Sequence, residues 1–170
     1  PNSMKDNDVL TLEIADIALG GKAIARLDGR VVFVDRGLPG DRVRARLLHL
    51  RRRHAEARLE SIESPSDRRI AAPCPHAGQC GACRFQDLPY PDQLALKERQ
   101  VRETLIHLGG VEAPIVRGIV AAAETFHYRN KMEFAFHPAP EGARLGLHER
   151  GAYDRVFALE TCLLPSALTV

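Results

Sequence analysis

Three of the four cysteines in this chain lie within ten residues, where positions 74–83 read C-P-H-A-G-Q-C-G-A-C, and the fourth lies near the end of the sequence. Thiolates are soft, anionic ligands, so three at short spacing on a loop suit a soft metal or an iron–sulfur cluster. Gly78 and Gly81 are expected to adopt positive φ and turn backbone amides toward the sulfurs. If the chain folds back, four thiols would join two distant segments at one centre. The candidate ligands are Cys74, Cys80, Cys83 and Cys162.

Three other interpretations of the cysteines remain open. Zinc accepts four thiolates, or three with His76, although structural zinc sites usually present two short-spaced pairs rather than a triplet and a distant single. Disulfides are a second alternative because the number is even. However, the sequence shows no apolar signal segment and no run long enough to span a membrane. We therefore expect a cytoplasmic protein with no membrane partner, where clustered cysteines favour metal. Unligated core cysteines are the third alternative.

Arginine dominates the positive charge of the chain. The 170 residues are 45% hydrophobic and 27% charged, with a net charge of +2, and they include 20 arginines against 4 lysines. Seven of the arginines, against two acids, fall between Asp41 and Arg58. Because the planar guanidinium suits phosphate, this segment indicates a nucleic-acid partner. The alternatives are a codon bias toward arginine and charged strands that simply face water.

Residues 10–64 show short alternating strands separated by turn signals. Asp28-Gly29 is typical of a two-residue hairpin, and Val43, Ala45 and Leu47 alternate with arginines along one segment. Five short strands in this length predict an OB-like five-stranded β-barrel with an arginine face. A second basic pair lies in a predicted strand at 127–136, where ion pairing with Glu133 is the alternative. The candidate RNA contacts are Arg42, Arg44, Arg46, Arg51, Arg52, Arg53, Arg129 and Lys131.

The rest of the chain predicts a small α+β domain. A helix is expected at 90–108, with Pro91 in its first turn and a glycine pair after it. Its predicted apolar face consists of Leu94, Val101, Leu105 and Leu108. Strands are expected at 115–120, 127–136, 144–148 and 153–159. The predicted fold class is therefore β plus α+β, with a cloning remnant and start at 1–4, a barrel at 5–63 and the α+β domain at 64–170.

The combined motifs resemble a known enzyme family. Their order is G-K-A-I-A-R-L-D-G-R-V-V-F-V at 21–34, L-P-G-D at 38–41, C-x5-C-G-x-C at 74–83, a helix start at 90–97, Y-R-N-K at 128–131 and a late cysteine at 162. This resembles the RNA uridine-5-methyltransferases of bacterial ribosomal and transfer RNA, in the branch that carries an iron–sulfur cluster. The resemblance implies a TRAM RNA-binding barrel at 5–63, an iron–sulfur central domain at 64–170, a [4Fe-4S] cluster on the four cysteines, and RNA as partner, with ribosomal RNA ahead of transfer RNA.

Two features depart from this family. Ala82 stands where the family commonly shows a second glycine, in C-G-G-C. The sequence also has no glycine-rich turn between a strand and a helix, as a recognisable S-adenosylmethionine pocket would need. In the family, a cysteine adds to C6 of uracil, C5 takes the methyl group and a base removes the C5 proton. We expect this chain to be a catalytically silent N-terminal fragment of such an S-adenosylmethionine-dependent enzyme.

Other functions remain open alongside that expectation. The first is a stand-alone, non-enzymatic RNA-binding protein whose second module is stapled by an iron–sulfur cluster or zinc. The second is a zinc-binding interaction module. A methylthiotransferase is a further alternative, because such enzymes also carry TRAM domains, but their C-x3-C-x2-C triplet differs from the spacing here.

Overall fold

The computed structural model describes residues 5–166, 168 and 169, and these form two compact units. The first contains residues 5–69 and Leu88–Gly118, and the second contains Ile70–Asp87 and the residues from Ile119 onward. This division differs from the predicted boundary between residues 63 and 64, because the helix groups with the barrel rather than with the cysteines. The predicted cloning remnant and start at 1–4 lie outside the described residues.

The first unit contains a closed barrel of five strands. They are β1 (Val9–Ile17), β2 (Ala23–Leu27), β3 (Arg30–Val34), β4 (Arg42–Leu50) and β5 (His54–Ser64). The strand order around the barrel is β1-β2-β3-β5-β4, and β4 closes it by pairing with β1. All neighbouring strands are antiparallel except β3 and β5, which run parallel. The structure confirms the predicted OB-like five-stranded barrel.

The barrel interior is filled by small and branched aliphatic side chains. On β4, Val43, Ala45 and Leu47 are fully buried and alternate with arginines that point outward. The predicted alternation on this strand is therefore confirmed, and it follows from the period of two that a half-buried strand requires. The other buried members of this core are Leu12, Ile14, Ala23, Ala25, Val32, Val34, Ala55 and Ala57.

A buried carboxylate fixes the turn before β4. Asp41 is completely inaccessible to solvent, and its two oxygens accept the backbone amides of Leu38, at 2.7 Å, and Ser66, at 2.8 Å. The guanidinium of Arg69 donates to both oxygens as well, through Nε at 3.1 Å and Nη2 at 2.6 Å. Burial raises the pKa of Asp41, but these hydrogen bonds and the arginine charge outweigh burial and leave the pKa below its usual value. Asp41 thus ties the turn to the segment that leaves the barrel.

We predict that Gly40→Ala destabilises the first unit more than Gly20→Ala does. Both glycines have φ near +90°, so each substitution carries the left-handed penalty of about 1–2 kcal/mol. A Cβ at Gly20 would meet open space, whereas a Cβ at Gly40 would lie 2.8 Å from Oγ of Ser66. Urea unfolding followed by circular dichroism measures the difference. Equal losses in the two variants would mean that Ser66 moves aside without cost.

The helix of the first unit, α1 (Tyr90–His107), ends one residue before the predicted position. It contacts the barrel through a single buried leucine, Leu96, and through polar groups. The side-chain amide of Gln100 donates to the carbonyls of Ile17 and Ala18, both at 3.0 Å, and Arg99 forms an ion pair with Asp16.

The predicted apolar face of α1 is mostly exposed, with only Leu94 half-buried. Val101 is 51% exposed, and Leu105 and Leu108 are also exposed. The helix turns a different side to the barrel, because Gln100 donates to the carbonyls of Ile17 and Ala18 at the end of β1. These contacts are directional and do not need an apolar stripe.

The second unit contains an antiparallel three-stranded sheet. Its strands are β6 (Ala135–Ala139), β7 (Gly142–Glu149) and β8 (Ala152–Ala158), in the order β6-β7-β8. Leu147 and Phe157 pack with Cys80 in a small core, against which the partly buried Met132, Phe134 and Leu159 lie. The predicted strands at 144–148 and 153–159 are confirmed by β7 and β8. The sheet thus brings one cysteine of the 74–83 segment into a hydrophobic core.

Two predicted strands of the second half are wrong. Residues 115–120 form no strand, and Ile115 and Val120 are more than 90% exposed instead of buried. In the segment 127–136 only the last two residues enter a strand, β6, and Tyr128 and Phe136 are exposed. Apolar composition alone therefore overestimated strand formation where no neighbouring strand is available for pairing.

Candidate functional site

The cysteine loop, residues 74–83, is a series of tight turns stabilised by its own backbone. The carbonyl of Cys74 accepts the amide of Ala77 at 3.1 Å, and the carbonyl of His76 accepts the amides of Gln79 and Cys80. Gly78 has φ of +91°, as predicted, but Gly81 does not have positive φ. Gly81 instead lies against β7, where its amide donates to the carbonyl of His148 at 3.1 Å.

Backbone amides in this loop point toward sulfur. The pKa of Cys74 is raised, chiefly by burial, and the nearby amides of His76 and Ala77 oppose this rise. The amide of Ala82 donates to Sγ of Cys80 at 3.4 Å. Such N–H···S bonds favour the charged thiolate, and they are a usual feature around iron–sulfur sulfurs.

Hydrogen bonds on both sides of Cys162 position the distant cysteine. Before it, the amide of Glu160 donates to Nε2 of the buried His76 at 3.1 Å, and the ring of His76 packs on Phe157 with centroids 5.0 Å apart. After it, the carbonyl of Leu163 accepts the amide of His127 at 2.7 Å. The segment that carries Cys162 is therefore attached to the cysteine loop through His76.

The four thiols interact electrostatically. Burial raises the pKa of Cys83, a hydrogen bond with Gln86 lowers it, and the charges of the other three cysteines raise it further. Burial also raises the pKa of Cys74, its amide partners lower it, and the charges of Cys162 and Cys80 raise it again. Cys162 therefore lies near enough to Cys74 and Cys83 for its charge, in the thiolate form, to raise their pKa values.

The thiols do not surround a single ion. Within the part of the chain that the structure describes, no three or more His, Cys, Asp or Glu side chains are grouped so that they could hold a metal ion. The Nε2 of His76 accepts the Glu160 amide, so this nitrogen is not free to bind zinc as the zinc alternative with His76 would require. Iron–sulfur ligation by these four cysteines stays a prediction.

Sequence reasoning missed two side chains that hold the cysteine loop. The guanidinium of Arg150 donates to the carbonyls of Cys80, at 3.4 Å, and Cys83. The side-chain oxygen of Gln86 accepts the amide of Cys74 at 3.2 Å. Arg150 lies in the turn between β7 and β8, where a charged residue looks like ordinary turn surface, so only the contact itself reveals its role.

The arginine face of the barrel consists of Arg42, Arg44 and Arg46 on β4, together with Arg58 of β5. Ion pairs occupy two of its members: Arg42 lies 3.4 Å from Glu63, and Nε of Arg46 donates to Glu60 at 2.7 Å. Arg58 lies directly across from Arg46 in the strand pairing. Arg44 and Arg58 are exposed and form no ion pair with any of the described residues. These two are the arginines of the face most available to phosphate.

The arginine loop, residues 51–53, connects β4 to β5. Arg51, Arg52 and Arg53 are exposed, and the amide of Arg51 donates to the carbonyl of His54 at 2.9 Å. The three predicted contacts therefore lie on one hairpin at the edge of the barrel. In OB-like barrels this β4–β5 loop borders the nucleic-acid-binding surface.

The second predicted basic pair lies in the second unit, outside any strand. Lys131 forms an exposed ion pair with Glu133 at 3.0 Å, and Nη1 of Arg129 contacts Sδ of Met132 at 3.7 Å. The backbone of Arg129 pairs with the segment around Leu164, through an amide–carbonyl bond of 2.9 Å. Lys131 therefore forms the ion pair with Glu133 that the sequence offered as the alternative to an RNA contact.

An aromatic pair on the outside of the barrel was not anticipated. Phe33 of β3 and His54 of β5 meet edge to face, with ring centroids 5.7 Å apart and an interplanar angle of 70°. Phe33 points outward because its neighbours Val32 and Val34 are fully buried. The only indication in the sequence was an aromatic residue, Phe33, between two valines of a short strand.

None of the described helices is long and apolar enough to cross a membrane.

Comparison with known proteins points to RNA methyltransferases. A Gloeobacter violaceus protein named as an uncharacterized RNA methyltransferase is 42% identical over 164 residues, which cover 95% of this chain and 36% of that protein. A Nitratidesulfovibrio vulgaris protein with the same description is 44% identical over 163 residues, covering 94% of this chain and 35% of that protein. The chain thus spans about a third of the length of these relatives and is homologous to that part of them. The chain matches no protein-family model.

A solved structure supports the fold. The crystal structure of the Pyrococcus abyssi tRNA (uracil-54, C5)-methyltransferase, in complex with S-adenosyl-L-homocysteine, aligns with a TM-score of 0.64 and 20% identity. The alignment covers 94% of this chain and 33% of that chain. At this identity the likeness shows a shared fold, and the fold extends over nearly all of the chain.

Proposed function

We propose that this chain carries the RNA-recognition region of an S-adenosylmethionine-dependent RNA uracil-C5 methyltransferase, and that its four cysteines ligate a [4Fe-4S] cluster. The enzyme class rests on homology to proteins named as RNA methyltransferases. The specificity for uracil C5 and the methyl donor are taken from the family that the motifs resemble. The neighbour of known structure, a tRNA (uracil-54, C5)-methyltransferase, supports them at the level of the fold.

The observation that carries RNA recognition is the exposed arginine surface of the barrel. Arg44 and Arg58 lie on one face without an acidic partner among the described residues, and the arginine loop adds three exposed guanidinium groups at the barrel edge. Five cations on a barrel of this topology suit a phosphate backbone, because each guanidinium can donate two parallel hydrogen bonds to phosphate oxygens. Such contacts position RNA but do not read its sequence.

The cluster proposal rests on the donor set of the cysteine loop. Charges on Cys80 and Cys162 raise the pKa values of Cys74 and Cys83, and the amide of Ala82 donates to Sγ of Cys80. A four-iron cluster takes one thiolate at each of four separate irons, so its ligands lie farther apart than those around a single ion. Among the described residues, no three or more ligating side chains are grouped around a single ion, so the cluster proposal rests on the cysteine motif and the family resemblance. The methyl transfer needs no electrons, so the cluster would act as a cross-link between the cysteine loop and the segment of Cys162.

We expect the double variant Arg44→Glu/Arg58→Glu to weaken RNA binding and reduce its salt dependence. If each arginine contacts one phosphate of single-stranded RNA, the slope of log affinity against log salt should fall in magnitude by about 1.4. Fluorescence anisotropy with a labelled uridine-rich oligonucleotide, measured at several salt concentrations, gives both quantities. Repeating the titration with ribosomal RNA and transfer RNA transcripts tests the predicted preference for ribosomal RNA.

Two exposed basic residues of the first unit provide a matched control: Lys97 on α1 and Arg117 in the segment after it. Lys97→Glu/Arg117→Glu changes the net charge by the same amount at exposed positions of the first unit that do not belong to the barrel strands. Its salt slope should remain that of the unmodified protein. Equal losses in the two double variants would show that the effect comes from net charge alone, and an unchanged slope in Arg44→Glu/Arg58→Glu would remove these arginines from the RNA surface.

A further inference from the structure

The outer surface of β3 and β5 presents an aromatic pair that the barrel does not need for its own packing. The core behind Phe33 and His54 is already closed by Val32, Val34 and Ala55, all with no exposed area. Phe33 and His54 are only half-buried and lie outside that core. The ring of Phe33 therefore lies on the outer face of the barrel, where a ligand can reach it.

Cationic and apolar groups surround this pair. Ile24 lies across from Phe33 on β2, and Arg26 lies across from Val31, one pleat along the same strand pair. On the other side, Glu56 is the neighbour of Phe33 on β5 and is neutralised by Lys22 at 3.3 Å. The acidic residue across from Phe33 therefore has a compensating positive charge beside it.

The arginine loop is directly attached to the aromatic pair. His54 follows Arg53 in the chain, and its carbonyl accepts the amide of Arg51 at 2.9 Å. His54, which contacts Phe33, and the three exposed arginines are therefore four consecutive residues of the β4–β5 hairpin. The faces of β2 and β3, together with the β4–β5 loop, form the surface on which OB-like barrels bind oligonucleotides.

We propose that Phe33, supported edge-on by His54, is a stacking platform for an unpaired nucleobase of single-stranded RNA, with the adjoining phosphates bound by the arginine loop. This inference rests on the proposed RNA recognition and specifies how the barrel binds. Stacking requires an open ring face and a base that is free of its helix, so the platform selects unpaired RNA. Bases inside a duplex are stacked on one another and do not reach a protein ring. The platform tolerates any base because every base has a π-face.

Three substitutions at position 33 distinguish the loss of base stacking from the loss of side-chain packing, and none of them changes the charge. Phe33→Leu keeps an apolar side chain on the strand but removes the ring, Phe33→Tyr keeps the ring, and Phe33→Ala removes both. The probes are a labelled ten-nucleotide oligouridine and an RNA duplex of the same length. We expect Phe33→Leu and Phe33→Ala to bind the oligouridine about 5- to 100-fold more weakly, the range that base–aromatic stacking supports. Phe33→Tyr should stay within about threefold of the unmodified protein, since its ring still stacks.

Two further readouts distinguish the platform from a general loss of binding. The salt slope of Phe33→Leu should be unchanged because no charge is removed, and its affinity for the duplex should be unchanged as well. Oligouridine containing 5-iodouridine should cross-link on irradiation to the peptide that carries Phe33 or His54. The thermal unfolding midpoint of Phe33→Leu verifies that the barrel remains folded.

Each outcome decides the proposal. If Phe33→Leu binds oligouridine as well as the unmodified protein while Arg44→Glu/Arg58→Glu binds weakly, the platform is wrong and the RNA-recognition proposal stands. If the unmodified protein binds neither probe, both proposals are wrong. Equal losses for oligouridine and duplex in Phe33→Leu would also overturn the platform, because they would indicate a disturbed barrel rather than a lost stack.

Discussion

Replacing Asp41 by asparagine should lower the unfolding free energy of the first unit by about 3–5 kcal/mol, the cost of breaking a buried ion pair by removing one partner. Both oxygens of this fully buried carboxylate accept hydrogen bonds, from the amides of Leu38 and Ser66 and from the guanidinium of Arg69. An asparagine would place an NH2 group against these donors. It would also remove the carboxylate charge that lies 2.6 Å from the guanidinium of Arg69, whose side chain is only 20% exposed. Urea unfolding followed by circular dichroism measures the loss.

The same change at an exposed carboxylate provides the control. Asp16 forms an ion pair with Arg99 in the same unit, but both side chains are about half exposed. Asp16→Asn should cost no more than about 1 kcal/mol, because exposed ion pairs contribute little. If Asp41→Asn costs no more than Asp16→Asn, the buried turn does not depend on the Asp41 charge.

The contribution of Asp41 should depend on pH in a defined direction. Its folded-state pKa lies below the usual value of about 4 for an aspartate, so the unfolded chain binds the proton more tightly. The stabilisation is therefore fully present above pH of about 4 and is lost as pH falls through the folded-state pKa. The difference in stability between the unmodified protein and Asp41→Asn should be constant at neutral pH and shrink on acidification. A difference that grows on acidification would contradict the assigned direction.

Asp41 also shows where sequence reasoning reaches its limit. The barrel was predictable because its strands leave local signals in the sequence. These are the alternation of buried and exposed residue types and turn residues such as Asp28-Gly29. The turn that contains Asp41 was predictable for the same reason. The burial of its carboxylate was not, because that depends on Arg69, which lies 28 residues later and looks like a surface arginine in a linker.

The helix illustrates a second limit. Its ends were predictable within a residue from Pro91 and the glycines that follow, yet its buried side was not. Hydrophobic periodicity favours the stripe that includes Val101 and Leu105, and these remain exposed. The contact is made instead by the Gln100 amide on two backbone carbonyls, a pairing that no periodic pattern encodes.

The cysteines show both a local signal that the sequence reveals and long-range contacts that it does not. The triplet at 74–83 is visible in the sequence as a local motif. The approach of Cys162 depends on His76, Glu160, Leu163 and His127, whose contacts span up to 84 residues of chain. Family resemblance could indicate that Cys162 belongs with the triplet, but the side chains that bring it there become apparent only from the folded chain.

Replacing Cys162 by serine should have the largest effect on the second unit if the four cysteines ligate a cluster. A hydroxyl is a poor substitute for a thiolate on iron, so the cluster would lose one of its four attachments. Because ligation free energy contributes directly to folding, the segment around Glu160 and Leu163 should also lose much of its order. Iron and acid-labile sulfide are measured on protein purified anaerobically. We expect about four of each per chain in the unmodified protein and a large loss in Cys162→Ser.

Thr161→Ser is the matched control, since it alters a neighbouring side chain and leaves all four thiols in place. It should retain iron, sulfide and the brown colour of the cluster. Hydrogen exchange at the Glu160 and His127 amides, which donate to His76 and to the Leu163 carbonyl, should be accelerated in Cys162→Ser but not in Thr161→Ser, because only the former releases the cross-link from the cysteine loop. A Cys162→Ser variant with full iron and sulfide would exclude Cys162 as the fourth ligand. Stoichiometric zinc without sulfide in the unmodified protein would contradict the cluster and assign the four thiols to a zinc site.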